Sequence, residues 1–445
     1  MMKINLKNVL IIFLIMFLLI PCFHYFISEN MDFVRYSSDN QGKYLQIQDY
    51  AYHIIVSKSF WFENSGNIYS LEFQQKALSN YINSKIDLAM PIGITPIGLL
   101  LFLPFSFLSL YSISLSYTFW MSFSFFVLFS AIWHAILEFE KQNRRFGRWT
   151  IFIIFTIFSF STFTAIFLGQ TSIYGVGLLV FLIVFIKRKN ESLRSSENIS
   201  YPIIIVMFFL GIKPNYTILG LGFLLIYGIW RESLYSIVIF IVFFIVLSPF
   251  LESNWFFSYL KTVKMINNGN LPEQYSWTYA PETMILFRTA FKGIIGDHVA
   301  VKISNIVNLS IYVFVMLFGT LVIKQKNDKK DFWLLRKVTK EQASISLIAS
   351  YLLFAPYAGS YEDFLFLIVF YVVLIFGEIP KVKNWESIII SLLLLITLSH
   401  NLLDNGKSIL FIWFLKLILF ILIYRILESN KFYFNVVNLS RQKIA

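Results

Sequence analysis

The run VLIIFLIMFLLIPCFHYF, Val9 to Phe26, comes just after Lys3 and Lys7, and its reading sets the class of fold. It is close to the ~20 apolar residues that a helix needs to cross a bilayer. A basic lead followed by an apolar stretch is also the pattern of a signal peptide, but no small-residue cleavage site closes this one and further apolar runs follow. It therefore reads as an uncleaved first helix, with Lys3 and Lys7 holding its N-terminus on the cytoplasmic side. The whole chain points the same way: of 445 residues, 57% are hydrophobic and 14% charged. That is too little charge to cover a water-facing surface, so lipid is the main solvent, and the expected fold is an all-α polytopic membrane protein.

A net charge of +12 could signal a nucleic-acid partner. Here the basic residues sit in short segments between apolar runs, so the charge is topological and no nucleic acid is expected. Cys22 is the sole cysteine, which excludes a disulfide within the chain and a thiolate metal cluster. Pro21 stands where a lipobox needs a small residue, which argues against acylation at Cys22.

Lys/Arg content orients the remaining runs. Residues 28–88 carry seven acidic and five basic side chains and read as a large first extracytoplasmic loop. Four segments are markedly basic and read as cytoplasmic: Lys141 to Arg148, Lys187 to Arg194, Lys324 to Lys340 and Arg425 to Lys443. Parity then sends five polar points outside: Leu168-Gly169-Gln170, Lys213-Pro214-Asn215, Ser253 to Asp297, Tyr357 to Asp363, and Asn401 to Lys407. Ile199 to Gly211 offers only ~20 Å of helix before Lys213 and Pro214, a short or broken span of the kind that lines a cavity. Ala89 to Leu137 has room for two spans where parity asks for an odd number, so either Pro91 to Pro104 is re-entrant or interfacial, or the charges near Arg144 break the rule. The count comes to about eleven to thirteen helices. No repeat interrupts the pattern, and residues 1–445 read as a single integral membrane domain, with 324–341 as a cytoplasmic loop.

Ionisable groups within or at the ends of spans are costly and tend to be functional. Asp49, Gln170, Lys213, Arg288 and Asp363, far apart in sequence, all fall on the same outer side. Two stretches of the first loop join them: Gln48-Asp49-Tyr50-Ala51-Tyr52-His53 and Ser65-Gly66-Asn67-Ile68-Tyr69.

These residues resemble the polyprenyl-phosphate-mannose-dependent glycosyltransferases of family 87. The Asp-aromatic start and the Gly-x-x-Tyr segment resemble that family's outer loop, and Pro91 to Pro104 resembles its proline-bearing second span. Gly169-Gln170-Thr171-Ser172 is similar to a Gly-Gln-x-Asn turn, with Ser172 in place of Asn. Lys213-Pro214 matches a Lys-Pro motif, Thr278 to Arg288 is similar to a segment ending in Arg, and Tyr361-Glu362-Asp363 resembles an acidic-aromatic group before a late span. A Pro-Pro pair common after the first loop is absent. The resemblance implies a GT-C-type bundle at the cytoplasmic (inner) membrane with an extracytoplasmic active site. It further implies an inverting hexosyltransferase, with mannose favoured, that takes a polyprenyl-phosphate sugar as donor and a glycolipid or envelope glycan as acceptor.

Such chemistry needs a carboxylate to take the acceptor's proton and cations to stabilise the leaving phosphate. Asp49 with Lys213 and Arg288 supplies that minimum. Tyr50, His53, Gln170, Glu362 and Asp363 are expected around the substrate. Each has a plainer reading: a solvated loop acid for Asp49, a snorkelling cation for Lys213, an interface anchor for Arg288, helix caps for Glu362 and Asp363, a turn-forming amide for Gln170 and a surface imidazole for His53. No Gly-rich phosphate loop, His-Glu-x-x-His helix or Cys/His metal set is present in the sequence. No motif in the sequence specifies a cofactor, and a divalent ion, Mg2+ or Mn2+, bridging Asp49 and the donor phosphate is compatible with the chemistry. A secondary transporter or lipid-linked glycan flippase is the alternative, since a broken span at Lys213 serves either.

Overall fold

The computed structural model describes residues 34–39, 42–47, 49–63, 66–83, 94–140, 166, 169–191, 198–252 and 254–267, with scattered positions from 299 to 418. The chain divides into two compact units, one drawn from Met1–Glu138, Thr162–Gly220 and Arg231–Pro272, the other from Phe139–Ser161, Leu221–Trp230 and Glu273–Ala445. In the second, Lys340 Nζ donates to Tyr227 O at 3.3 Å and lies over the Tyr227 ring, a cation at the carbonyl end of a helix.

Among the described residues the first unit is helical apart from one hairpin. Strands β1 (Val34–Asp39) and β2 (Gly42–Ile47) pair antiparallel, with Val34 opposite Ile47 and Tyr36 opposite Leu45. The all-helical expectation did not contain this hairpin. The sequence around its bend, Asp39-Asn40-Gln41-Gly42, is rich in turn-forming residues, a signal that hydropathy does not weigh.

Helix α1 (Asp49–Lys58) follows and runs into a π-helical turn over Ser59–Glu63. It was expected as open loop, yet Tyr50, Ala51, Tyr52, Ile54, Ile55 and Val56 are all buried. A helix buried on several faces is a core element. Helix α2 (Leu71–Ile82) starts where Ser70 Oγ accepts from Phe73 N–H at 3.2 Å and stops at Asn83 in the left-handed region (φ 54°). Tyr52 OH donates to Gln74 Oε1 at 2.5 Å, and Gln74 Nε2 donates to Ile68 O at 2.8 Å, so a buried amide ties α1 to α2 with its polar groups satisfied.

Next come α3 (Pro96–Leu108, 13 residues) and α4 (Ile113–Glu140, 28 residues), joined by a turn at residues 109–112. At 1.5 Å per residue α3 is roughly 20 Å long, short of a bilayer, whereas α4 exceeds it. Of these two helices, only α4 is long and apolar enough to cross a bilayer. Helix α5 (Ser172–Glu191) is followed by α6 (Tyr201–Leu210) and α7 (Pro214–Tyr227), then α8 (Trp230–Leu247) and α9 (Trp255–Asn267). Ile113–Glu138 and Trp230–Phe250 are long and apolar enough to cross a membrane. Leu234, Val238, Ile241, Val242, Ile245 and Val246 of α8 are all exposed. A contiguous aliphatic face of that size is uncommon on a water-soluble surface and fits contact with lipid.

The break between α6 and α7 falls where the short apolar run predicts it. Gly211, Ile212 and Lys213 N–H groups fold back on Phe208, Phe209 and Leu210 carbonyls at 3.0, 3.3 and 3.4 Å, tightening the last turn of α6. Pro214 has no N–H to continue it. The carbonyls left over are met from α3: Thr95 Oγ1 donates to Gly211 O, and Thr95 N–H donates to Ile212 O at 3.3 Å. The same hydroxyl caps α3 by accepting from Gly98 N–H at 3.4 Å. Contact is close enough that a Cβ on Gly211 would sit 2.5 Å from Ile97 Cδ1 and 2.6 Å from a Phe240 ring carbon. Thr95→Val should lower the unfolding free energy by about 1–3 kcal/mol because a buried carbonyl loses its donor. Thr95→Ser should recover most of it, both read as thermal midpoints in detergent.

Candidate functional site

Three segments converge at one end of α5. Asp49 opens α1, where a carboxylate is favoured by the helix dipole and the free N–H groups of the first turn. Gln170 lies two residues before α5, and Lys213 lies in the α6–α7 break, which makes its side chain available beside a helix start instead of within a helix face. Gln170 Nε2 donates to Asp49 Oδ2, while Gln170 Oε1 accepts from Lys213 Nζ at 3.4 Å. The amide is 5% exposed. Its carbonyl dipole meets the ammonium and its NH2 meets the carboxylate, so the opposite amide orientation would be repelled at both ends. Lys213 Nζ also lies 5.5 Å from the Tyr216 ring centre, one turn on in α7.

Gly169 allows this approach. It has φ +67°, and a Cβ there would come within 2.3 Å of Tyr50 Cβ and 2.7 Å of Tyr117 Cε2. Tyr50, expected near the substrate, is wholly buried: its hydroxyl is 2.6 Å from Ser116 Oγ, which donates to Phe105 O at 2.7 Å. Its ring packs edge-on to Tyr117 at 5.0 Å and stacks towards Trp120 at 6.3 Å. In this position Tyr50 fixes α1 against α3 and α4, and so sets where Asp49 stands.

His53, one turn after Asp49, keeps some accessible surface, but its Nδ1 is buried with no hydrogen-bond partner among the described residues. The second loop motif is a scaffold as well. Asn67 Oδ1 accepts from Tyr69 N–H at 3.1 Å, Tyr69 OH donates to Ile94 O at 3.2 Å, and a Cβ on Gly66 would press into the Phe73 ring at 2.7 Å. Arg288, Glu362 and Asp363 lie outside the described residues. Among those described, no three His, Cys, Asp or Glu side chains gather as a metal site would require.

A second polar group lies at the far end of α5, roughly 30 Å away by the helix rise. Arg188 Nε pairs with Glu138 Oε2 at 2.7 Å, and Lys189 Nζ pairs with Glu232 Oε1, which also accepts from Ser200 N–H at 2.9 Å. The two glutamates are buried. Sequence reading counted Arg188 and Lys189 as topological charge and overlooked their partners. The available signal was that Glu138 and Glu232 are acids at the ends of apolar runs, where an unpaired carboxylate is costly.

These helices, with a lipid-type face on α8 and buried polar groups segregated to the two ends of α5, fit a helical membrane protein. The model of glycosyltransferase family 87 matches residues 95–339, more than half of the sequence. No curated protein and no solved structure matches it. The chain belongs to glycosyltransferase family 87, which makes it a glycosyltransferase. The matched residues include Gln170, Lys213 and Arg288; Asp49 and His53 precede them, and Glu362 and Asp363 follow.

The His53 imidazole is lowered from its ordinary 6.5 to about 3, by burial first and by the Lys213 charge second. Between those values the folded chain binds fewer protons than the unfolded one. The stability tied to His53 is therefore complete above about 6.5 and falls as pH drops towards 3, by up to ~1.4 kcal/mol per pH unit. Lys213→Met should raise the His53 value measured by NMR titration of labelled imidazoles, with His53→Gln identifying the resonance. An unchanged value would separate the two groups.

Proposed function

We propose that this glycosyltransferase moves a hexose, with mannose favoured by the family resemblance, from a polyprenyl-phosphate donor to a hydroxyl of a glycolipid or envelope glycan. The reading places the site on the outer face of the cytoplasmic membrane, in a multi-pass bundle, because the Asp49 end of α5 is the end that charge patterning sends outside. The observation that supports it most directly is the contact chain Asp49–Gln170–Lys213, built from segments 121 and 43 residues apart.

The Asp49 carboxylate takes the proton of the acceptor hydroxyl as that oxygen attacks the anomeric carbon. The bond from the anomeric carbon to the phosphate oxygen breaks on the opposite face, so configuration inverts in one displacement. The electron pair leaves with the polyprenyl phosphate, whose charge needs a cation and not a proton. Lys213 provides one cation from the helix break, and Arg288 is assigned as the second. Gln170 holds carboxylate and ammonium in register, and the buried Nδ1 of His53, without a hydrogen-bond partner among the described residues, is a hydrogen-bonding point for a sugar or acceptor hydroxyl. Were a divalent ion used, Asp49 would be its protein ligand and the ion would supply positive charge for the leaving phosphate; loss of transfer in EDTA, restored by Mn2+, would separate that version from one that relies on Lys213 and Arg288 alone.

The test is transfer from radiolabelled polyprenyl-phosphate sugars to membrane glycolipids by purified protein. Asp49→Asn should reduce the rate by about 10²- to 10⁴-fold while donor binding persists, the range for loss of a general base. Lys213→Met should raise the donor KM as well as lower kcat. Undiminished transfer by Asp49→Asn would remove the carboxylate from the mechanism.

A further inference from the structure

Helix α9 (Trp255–Asn267) begins a few residues after α8 and its short 3-10 extension Ser248–Phe250. One side of α9 is turned towards the first loop. Trp255 is buried, its ring 6.2 Å from that of Tyr69; the Tyr259 ring is edge-on to Tyr69 at 5.0 Å; and Ser258 Oγ accepts from Asn67 Nδ2 at 2.9 Å. Stepping about 100° per residue, the opposite side carries Phe256, Phe257 and Leu260, which are 49%, 72% and 46% exposed, with exposed Lys261 at its edge. Two adjacent, outward-facing phenylalanines on a helix that has a well-packed inner side need an apolar environment of their own.

We infer that α9 is a membrane-surface helix whose Phe256, Phe257 and Leu260 enter the boundary between lipid headgroups and acyl chains, and that this seating positions the loop that carries the catalytic carboxylate. The occupant follows from continuity. The exposed aliphatic face of α8, the bilayer-crossing helix, runs through Ile241, Val242, Ile245 and Val246 to Phe250, which is itself exposed, and the apolar side of α9 resumes a few residues later. A chain leaving the bilayer at Phe250 has too few residues to carry α9 far from its surface. Lys261, at the edge of the apolar side, can lay its alkyl stem on that side and extend its ammonium to lipid phosphates. The inner side then transmits the seating through Asn67 and Tyr69 to Ile94 O and so to Thr95, the residue that also closes the α6–α7 break. The loop is thus held from the membrane as well as from α3 and α4.

The inference rests on the membrane reading of α8, and the experiment separates the two. In a Cys22→Ser background, single nitroxide labels at Phe257→Cys, Leu260→Cys, Val242→Cys and Glu72→Cys are compared in proteoliposomes for collision with oxygen and with a water-soluble nickel chelate. Expected is oxygen access with shielding from nickel at 242, the same pattern at lesser depth at 257 and 260, and nickel access at 72. Nickel access at 257 and 260 equal to that at 72 would overturn the inference while leaving α8 in the bilayer. So would protection from both reagents, which means another segment of the chain covers the face, or spin–spin broadening, which means a second copy does. Failure at 242 would instead overturn the membrane reading. As a second readout, Phe256→Ser/Phe257→Ser should speed amide exchange over residues 66–70 severalfold and leave α4 unchanged; no change there would break the link from helix to loop.

Discussion

A helix that stops inside a packed bundle leaves buried carbonyl groups, and the stop survives only if another part of the chain supplies donors. Between α6 and α7 those donors are the hydroxyl and the N–H of Thr95. This single clamp fixes the approach of α3 to the break and leaves room for no side chain at Gly211. It also turns Lys213 from an interior helix residue into one that stands beside the first turn of α7. Much of the site geometry follows from it. A continuous helix would hold the lysine on a helix face, where its charge would be an expense without a partner.

The second constraint is aromatic. The first loop presents Asp49 to Gln170 because Tyr50 and Tyr69 are sunk into the helices on either side of it, each with a hydrogen bond for its hydroxyl. Their rings are large apolar bodies with one polar end, suited to anchoring a polar loop on an apolar bundle. Gly169 completes the fit by letting the turn before α5 press onto Tyr50. The carboxylate, amide and ammonium thus come from the start of a helix, a tight turn and a helix break. These are three places where the backbone has already left regular structure and can offer groups at helix ends. Tyr50, expected around the substrate, and Gly66, part of the Gly-x-x-Tyr segment, are both closely packed.

What could be read without coordinates was what periodicity and charge encode. The break at Lys213-Pro214 is announced by an apolar run too short to cross, and the gathering of residues 49, 170 and 213 by the parity of basic segments. The buried helix α1 was less legible: its residues are apolar on several faces, so no amphipathic period marks it, and its acid and lysine resemble those of a loop. The hairpin over 34–47 was missed although Asp39, Asn40 and Gly42 are turn-forming residues, because hydropathy and the parity of basic segments do not weigh turn chemistry. The pairs Glu138–Arg188 and Lys189–Glu232 were missed for a different reason, since counting basic residues treats each as solvated and cannot see a partner on another helix.

Positions 49 and 170 must lie side by side for the carboxylate to meet the amide, and thiol cross-linking measures that directly. In the cysteine-free background, Asp49→Cys with Gln170→Cys should join rapidly through a short bifunctional methanethiosulfonate, at a rate similar to that of Glu138→Cys with Arg188→Cys. Efficient joining of the 138–188 pair with none between 49 and 170 would contradict that contact, because α1 would then not bring its carboxylate to the turn before α5.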